Sequence, residues 1–241
     1  MRKGMEHFIN NPIYTITAEA MSNGRNNIEV VGKMLKAGIK FIQYREKEKP
    51  ALERYQECMQ LVKMTKEAGA IFIIDDFVDL AMAVNAGGVH IGQTDLPPQV
   101  VRQLIGEDKI LGLSTHEEAQ LQKANELGDI IDYIGVGPVY ATQTKKDAVP
   151  VGFSYVDYAS KYAKHPFVAI GGIKEHNICE VASHGAKTFT IVSEIVSADD
   201  IVNKIKSIEK YNRLYATEFE HNLQNKEFNT INIILNNFFD I

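Results

Sequence analysis

Eight apolar, β-branched runs alternate with amphipathic stretches along the chain, and polar residues follow the end of each run. The runs begin at Ile13, Phe41, Ile71, Gly88, Ile110, Tyr133, Phe167 and Thr188. Strands that alternate with helical patterns are typical of parallel βαβ units. Eight such units in a chain of this length predict an α/β fold, a closed (β/α)8 TIM barrel in a single domain.

Glycine and proline positions support the helices predicted between these runs. Gly38 and Gly69 follow the first two helical patterns, at the position where glycine commonly ends a helix. Pro97 and Pro98 open the fourth predicted helix, because proline is tolerated in a first turn. The fifth helix is predicted to begin at about Thr115.

The predicted barrel takes up nearly the whole chain of 241 residues. We expect it to span residues 1–216, with a last helix over about 198–215. Residues 217–241 form a C-terminal extension of unknown role. The extension is either an appendage or exterior helix, or else a subunit contact or lid, and a homo-oligomer stays possible.

Composition excludes several classes of function. A net charge of −5 gives no electrostatic case for binding nucleic acid or an anionic membrane. The sequence shows neither an apolar signal segment at the N-terminus nor the ~18 consecutive apolar residues of a membrane span. Cys58 and Cys179 lack metal-ligand spacing and are expected to be reduced, buried thiols. We therefore expect a soluble, cytoplasmic protein that acts on small molecules.

In a TIM barrel the active site lies at the carboxyl ends of the strands, which is where the polar residues of this chain fall. After the second run, Gln43, Arg45 and Lys47 alternate with the period of a strand and should face the same side. Converging arginine and lysine donors suit a polyanion. The alternative is a solvated basic strand end that pairs with Glu46 or Glu48.

Two aspartates follow neighbouring strands. Asp76 ends the third run and Asp95 follows the fourth. Adjacent strands lie ~4.8 Å apart, so the two carboxylates can share one ion. Two carboxylates with substrate phosphate oxygens and waters describe a typical Mg²⁺ site. The alternative is that each aspartate caps a helix. His90, on the fourth run, is expected to be a core or supporting histidine.

Two further loops suit anionic oxygens. Thr142, Thr144 and Lys145 follow the sixth run and supply two hydroxyls and a cation. Gly171 and Gly172 follow the seventh run and permit close backbone approach, and Ser193 adds a hydroxyl after the eighth. Loops after strands seven and eight often form the phosphate site of a barrel. A solvated loop and a Gly-Gly turn without ligand are the plain alternatives.

The barrel mouth thus holds two predicted anion sites, one with a metal and basic residues and one on the side of strands seven and eight. The first suits a pyrophosphate and the second a simple phosphate. With no evident cysteine or serine nucleophile, this set favours departure of pyrophosphate followed by capture by a second substrate.

The motifs, in this order, resemble the thiamine phosphate synthase (thiamine-phosphate pyrophosphorylase) family from about Ile13 to Ile195. The motifs are QYREK at 43–47, the aspartates with VDLA at 75–81, GVHIGQTD at 88–95, GLSTH at 112–116, GPVYATQTKKD at 137–147, AIGGI at 169–173 and IVSEI at 191–195. The resemblance implies a transferase that joins 4-amino-2-methyl-5-hydroxymethylpyrimidine diphosphate to a thiazole phosphate, releasing pyrophosphate. It also implies a dissociative, SN1-like mechanism assisted by Mg²⁺.

The resemblance also implies a role for each matching residue. Those expected to bind the pyrimidine diphosphate are Gln43, Tyr44, Arg45, Glu46, Lys47, Asp75, Ser114 and Lys145. Those expected to bind the thiazole phosphate are Thr142, Gln143, Thr144, Gly172, Val192 and Ser193. Asp76 and Asp95 would bind Mg²⁺, and catalytic roles fall to Arg45, Lys47, Ser114 and Lys145.

The chain departs from the family pattern at Asp75, where the family usually has asparagine before the aspartate. An amide both donates and accepts hydrogen bonds, whereas an ionised carboxylate only accepts. We expect Asp75 to remain a substrate contact that adds negative charge near the metal and the diphosphate. Two rival functions are a thiazole tautomerase-like homologue and a non-catalytic regulator that binds a phosphorylated ligand.

Overall fold

The computed structural model describes residues 1–145 and 148–210. Eight parallel strands close into a barrel in sequence order, and the first strand pairs with the last. The strands are β1 (Ile13–Ile16), β2 (Phe41–Tyr44), β3 (Ile71–Asp75), β4 (Gly88–Ile91), β5 (Ile110–Thr115), β6 (Tyr133–Val136), β7 (Phe167–Ile170) and β8 (Thr188–Thr190). The predicted TIM barrel and the order of its strands are confirmed.

Helices surround the barrel and connect its strands. They are α1 (Met5–Asn10), α2 (Asn27–Lys36), α3 (Ala51–Glu67), α4 (Val78–Ala83), α5 (Pro98–Ile105), α6 (Glu118–Glu126), α7 (Gly152–Tyr162), α8 (Ile178–Ser183) and α9 (Ser193–Val196), with short 3-10 turns at Glu19–Met21 and Gly128–Ile130. Residues 201–210 are also helical. The rest of the predicted last helix and the extension at 217–241 lie outside the described residues.

The fifth predicted helix was placed too early. α6 begins at Glu118, because Thr115 is still the last residue of β5. The buried Thr115 hydroxyl donates a hydrogen bond to the carbonyl of Gly135 in β6, 2.9 Å away. A threonine after an apolar run therefore extends the strand here and does not open the helix.

Two apolar layers hold the fold together. Outward-facing strand residues such as Ile42, Ile74 and Val89 pack against the inner faces of the helices. Inward-facing residues fill the lower half of the barrel with aromatic rings, including Tyr14, Phe41 and Tyr133. Within the described ranges, no helix combines the length and apolar character that a bilayer span needs.

The N-terminal helix α1 seals the bottom of the barrel, which the sequence pattern did not predict. Met5 and Phe8 are each 1% exposed and belong to the interior apolar cluster. The Phe8 ring lies 4.7 Å from the ring of Tyr133 and 5.4 Å from that of Phe41, measured between centroids. Arg2 anchors the segment through Asp132, at 2.9 Å. The polar residues of this short helix had concealed its two buried side chains.

Phe8→Ala should destabilise the barrel by about 3–5 kcal/mol, because it removes a buried ring that closes the aromatic interior. The neighbouring Ile9 is 50% exposed on the same helix. Ile9→Ala is therefore the matched control, with an expected change within about 0.5 kcal/mol. Urea unfolding of the two variants measures both free energies. Equal, small losses would show that α1 does not seal the core.

Candidate active site

One cavity of about 500 Å³ opens at the carboxyl ends of the strands. This size is typical of a small-molecule site. Most residues predicted for the site line it, namely Gln43, Arg45, Lys47, Asp75, Asp76, Asp95, Ser114, Thr142, Thr144, Lys145, Gly172, Val192 and Ser193. The two predicted anion sites therefore belong to a single space.

Three residues implied by the resemblance do not line this cavity. Tyr44 is buried against the helix layer, where its hydroxyl donates to Glu57 Oε2 at 2.6 Å. Glu46 accepts a hydrogen bond from the backbone N–H of Glu19 at 3.0 Å. Gln143 is exposed on its loop. Strand alternation explains the first case, because residues on either side of an inward-facing Gln43 must face outward.

The basic residues after β2 pair with the aspartates after β3. Lys47 Nζ lies 2.5 Å from Asp76 Oδ2, and Arg45 Nε lies 3.4 Å from Asp75 Oδ2. Gln43 donates through Nε2 to Asp75 Oδ1 at 2.6 Å. The alternative in which the cations pair with Glu46 or Glu48 is thus not adopted. Arg45 and Lys47 line the cavity, and Asp75 and Asp76 partly neutralise their positive charges.

The ionised form of Asp75 is disfavoured by its surroundings. The pKa of Asp75 is raised to about 7, chiefly by burial and next by the charge of Asp76, while Lys47 and Arg45 oppose the rise. The charge of Asp95 adds to it. A cation brought to this end of the barrel would relieve that repulsion.

Neither metal-site candidate caps a helix. The residue before α4 is Phe77 and the residue before α5 is Pro97, and neither supplies a side-chain cap. Asp95 Oδ2 instead accepts the backbone N–H of Gly92 at 2.6 Å, which folds the loop after β4. Asp76 adopts a left-handed backbone with φ of 62°, uncommon outside glycine. Both carboxylates are held at the cavity and not at a helix end.

Among residues 1–145 and 148–210, no three His, Cys, Asp or Glu side chains converge as a ready metal site. The described protein atoms therefore offer no complete ligand cage.

The opposite side of the cavity is built from loops that pack on each other. Gly171 and Gly172 have positive φ values of 99° and 65°. A Cβ added at Gly172 would stand 2.7 Å from the carbonyl oxygen of Ala141, so only glycine permits this approach. Thr144 N–H donates to Thr142 Oγ1 at 3.2 Å, which folds the loop after β6. Hydroxyls and backbone N–H groups thus face the same space.

Two histidines lie at the cavity, and sequence reasoning assigned no role to one of them, His116. His116 lines it, and its Nδ1 lies 2.6 Å from the carbonyl oxygen of Gly137. His90, expected as a core or supporting residue, also lines it while only 8% exposed. Its Nε2 lies 2.9 Å from Ser114 Oγ. Side chains along β4 alternate between the barrel interior and the helix layer. This alternation was the available signal, but it did not show to which of the two sides His90 points.

Burial lowers the pKa of His90 to about 4, so its ring is neutral near pH 7. The unfolded chain binds a proton at His90 below about pH 6.5, whereas the folded chain does not until about pH 4. Stability due to His90 is therefore present above pH 6.5 and lost as the pH falls toward 4. Between pH 7 and 4.5 the parent protein should lose on the order of 2–3 kcal/mol relative to His90→Gln. Urea titrations of both proteins at the two pH values measure this difference, and a constant difference would contradict it.

An eight-stranded parallel barrel with acidic, basic and glycine-rich groups at one mouth defines a TIM-barrel enzyme for phosphorylated substrates. The family model described as thiamine monophosphate synthase matches residues 13–195. The chain belongs to that family. The resemblance, the fold class and the expectation of a transferase are thereby confirmed.

Curated relatives agree with this membership. The thiamine-phosphate synthase of Pelotomaculum thermopropionicum is 54% identical over 208 residues, covering 86% of this chain and 94% of the relative. That of Caldicellulosiruptor saccharolyticus is 53% identical over 197 residues, covering 81% and 88%. Among solved structures, thiamine phosphate pyrophosphorylase from Pyrococcus furiosus superimposes with a TM-score of 0.75 at 30% identity, covering 84% of this chain and 96% of that one.

Proposed function

We propose that this chain is a cytoplasmic thiamine-phosphate synthase that joins the pyrimidine diphosphate to the thiazole phosphate and releases pyrophosphate. The observation that carries the proposal is that one cavity contains both the cation and aspartate groups and the hydroxyl and glycine loops. Two anionic substrates can therefore meet in one space. Their reacting atoms need only be brought into contact.

The diphosphate fits the cationic side of the cavity. Arg45 and Lys47 extend from the end of β2, and Lys145 faces them from the loop after β6. Arg45 Nη1 lies 3.5 Å from the carbonyl oxygen of Thr144, so Arg45 reaches this loop. Three cations around one diphosphate hold it and stabilise the charge that develops as it leaves.

The thiazole phosphate fits the opposite side. Thr142 and Thr144 offer hydroxyls, Gly172 offers an open backbone, and Ser193 begins α9 after β8. Backbone N–H groups and a helix start after strands seven and eight commonly bind a phosphate in this fold. Binding there would place the thiazole ring toward the centre of the cavity.

The aspartates at the cavity fit Mg²⁺. Both donors are hard carboxylate oxygens, with no cysteine in the set, and the negative charges of both aspartates raise the pKa of the neighbouring Asp75. Mg²⁺ is commonly held by one or two carboxylates together with substrate phosphates and waters. Asp76 and Asp95 would hold the ion, which supplies charge neutralisation of the departing diphosphate when bound.

The proposed mechanism is a dissociative substitution. The C–O bond between the pyrimidine methylene and the diphosphate breaks, and its electron pair leaves with the diphosphate held by Arg45, Lys47 and Lys145. The electron-rich aminopyrimidine stabilises the resulting carbocation. The lone pair of the thiazole nitrogen then forms the new C–N bond, and no protein nucleophile takes part.

Mixing the purified protein with both substrates and Mg²⁺ tests the proposal. Pyrophosphate and thiamine phosphate should appear in equal amounts, and omission of either substrate or addition of a chelator should stop both. Conversion of the thiazole substrate alone would support a tautomerase-like homologue instead. Binding of thiamine phosphate without turnover under any metal condition would support a regulator.

A further inference from the structure

A continuous chain of buried hydrogen bonds crosses the barrel beneath the cavity. Its members, in order, are Asp75, Gln43, Tyr14, Tyr133, His90 and Ser114. The successive heavy-atom distances are 2.6, 3.2, 2.9, 3.0 and 2.9 Å. Each residue comes from a different strand, β1 to β6, so these hydrogen bonds link Asp75 on β3 to the Ser114 hydroxyl on β5 through the barrel interior. We call it the buried chain.

The first link has a fixed direction. The amide nitrogen of Gln43 faces Asp75 and donates to its Oδ1 at 2.6 Å. While Asp75 carries no proton, a flipped amide would bring two oxygens together without a hydrogen between them. The amide oxygen of Gln43 consequently faces the Tyr14 hydroxyl at 3.2 Å and must accept its hydrogen.

This direction passes along the buried chain one hydrogen at a time. Because Tyr14 uses its hydrogen on Gln43, the Tyr133 hydroxyl must donate to Tyr14. Tyr133 then has only an acceptor left for His90, so the Nδ1 atom of His90 must carry the ring proton. Nε2 of the neutral ring is thereby an acceptor, and Ser114 must donate to it.

The opposite direction leaves one link without a hydrogen. If His90 carried its proton on Nε2, Tyr133 would donate to Nδ1 and Tyr14 would donate to Tyr133. The Tyr14 oxygen would then face the Gln43 amide oxygen with nothing between them. An unpaired buried acceptor disfavours that state by roughly tenfold or more.

We propose that Asp75 is a positioning residue that sets the direction of the buried chain, so that the Ser114 hydroxyl donates to His90 and not into the cavity. The direction itself is independent of the proposed function. The effect of this direction on the diphosphate rests on the proposed function. Diphosphate oxygens accept hydrogen bonds, and a Ser114 hydroxyl that donates to His90 cannot donate to them.

A glycine on β5 makes room for the contact between the His90 ring and Tyr133. Gly112 lies on β5 between the rings of His90 and Tyr133, and a Cβ there would overlap both. Gly112 thus leaves the space that the His90 ring occupies.

Asparagine at position 75 would allow both directions. Its amide could donate to a flipped Gln43, whose nitrogen would donate to Tyr14. Every later link could then reverse, and the Ser114 hydroxyl would be available to the diphosphate. Asp75 therefore restricts to one direction a network that asparagine at this position would allow to adopt two.

The direct test is the protonation site of His90, observed by ¹⁵N NMR of the ring nitrogens at mildly alkaline pH. Signals of His90 are identified by their loss in His90→Gln. The parent protein should show a proton on Nδ1, whereas Asp75→Asn should shift a substantial fraction to Nε2. Tyr155→Phe is the control, since this tyrosine is buried on α7 outside the buried chain, and it should leave the pattern unchanged. A proton on Nε2 in the parent, or the same pattern in Asp75→Asn, overturns the proposal.

A double-mutant cycle tests the consequence at Ser114. Asp75→Asn should lower the KM for the pyrimidine diphosphate several-fold, through removal of charge and through release of the Ser114 hydroxyl. In the Ser114→Ala background only the charge effect remains, so the decrease should be smaller. Equal decreases in both backgrounds would show that Asp75 acts through its charge alone. If no turnover occurs in any variant, the proposed function fails while the NMR result still decides the direction.

Discussion

Asp95→Asn should reduce metal-dependent turnover by on the order of 10³-fold or more, while the fold stays intact. The loss of an ion that neutralises a departing diphosphate is worth several kcal/mol of transition-state stabilisation. Asparagine can still accept the backbone N–H of Gly92, which Asp95 accepts at 2.6 Å, so the loop after β4 keeps its shape. The change therefore isolates the negative charge.

Pyrophosphate release at saturating Mg²⁺ measures the effect of Asp95→Asn. Asp79→Asn is the matched control, because Asp79 is exposed in the first turn of α4 and does not line the cavity. The control should keep nearly full turnover and lose less than about 1 kcal/mol of stability. Full activity of Asp95→Asn in the presence of a chelator would remove the metal from the mechanism.

Lys145→Ala should lower kcat on the order of 10²-fold, with a smaller change in affinity for the thiazole phosphate. Lys145 lines the cavity, and we assign it to the diphosphate. Its charge matters most as the C–O bond breaks, since negative charge on the leaving group then increases. Steady-state kinetics with each substrate varied in turn separate kcat from the two KM values.

The exposed Lys187 lies outside the cavity, so Lys187→Ala provides the control for removal of one positive charge. It should leave both constants unchanged. A selective loss of thiazole phosphate affinity in Lys145→Ala would move this lysine to the other substrate.

The barrel and most of the site could be predicted because both depend on local patterns. Eight apolar runs are enough to place eight strands, and strand ends in a barrel meet at one mouth. Gln43, Asp76 and Asp95 were found in this way. Tyr44 and Glu46 were included from the resemblance, although strand alternation around Gln43 already turned Tyr44 outward.

The missed features depend on contacts between distant parts of the chain. The six-residue helix α1 is too short and too polar to display an apolar face, so only the barrel interior shows that Phe8 is buried. The hydrogen bond that joins Tyr14 to Tyr133 spans 119 positions of sequence. No window of sequence contains both partners of such a pair.

The seal that α1 forms at the bottom of the barrel has a kinetic consequence. Phe8 and the rings around it close that end, so ligands enter and leave through the mouth. Gln43 lies deep, at 3% exposure, whereas Lys145 is exposed at the rim. Because both substrates use one entrance, we expect ordered binding, in which the pyrimidine diphosphate binds first. Excess thiazole phosphate should inhibit by blocking entry of the pyrimidine diphosphate.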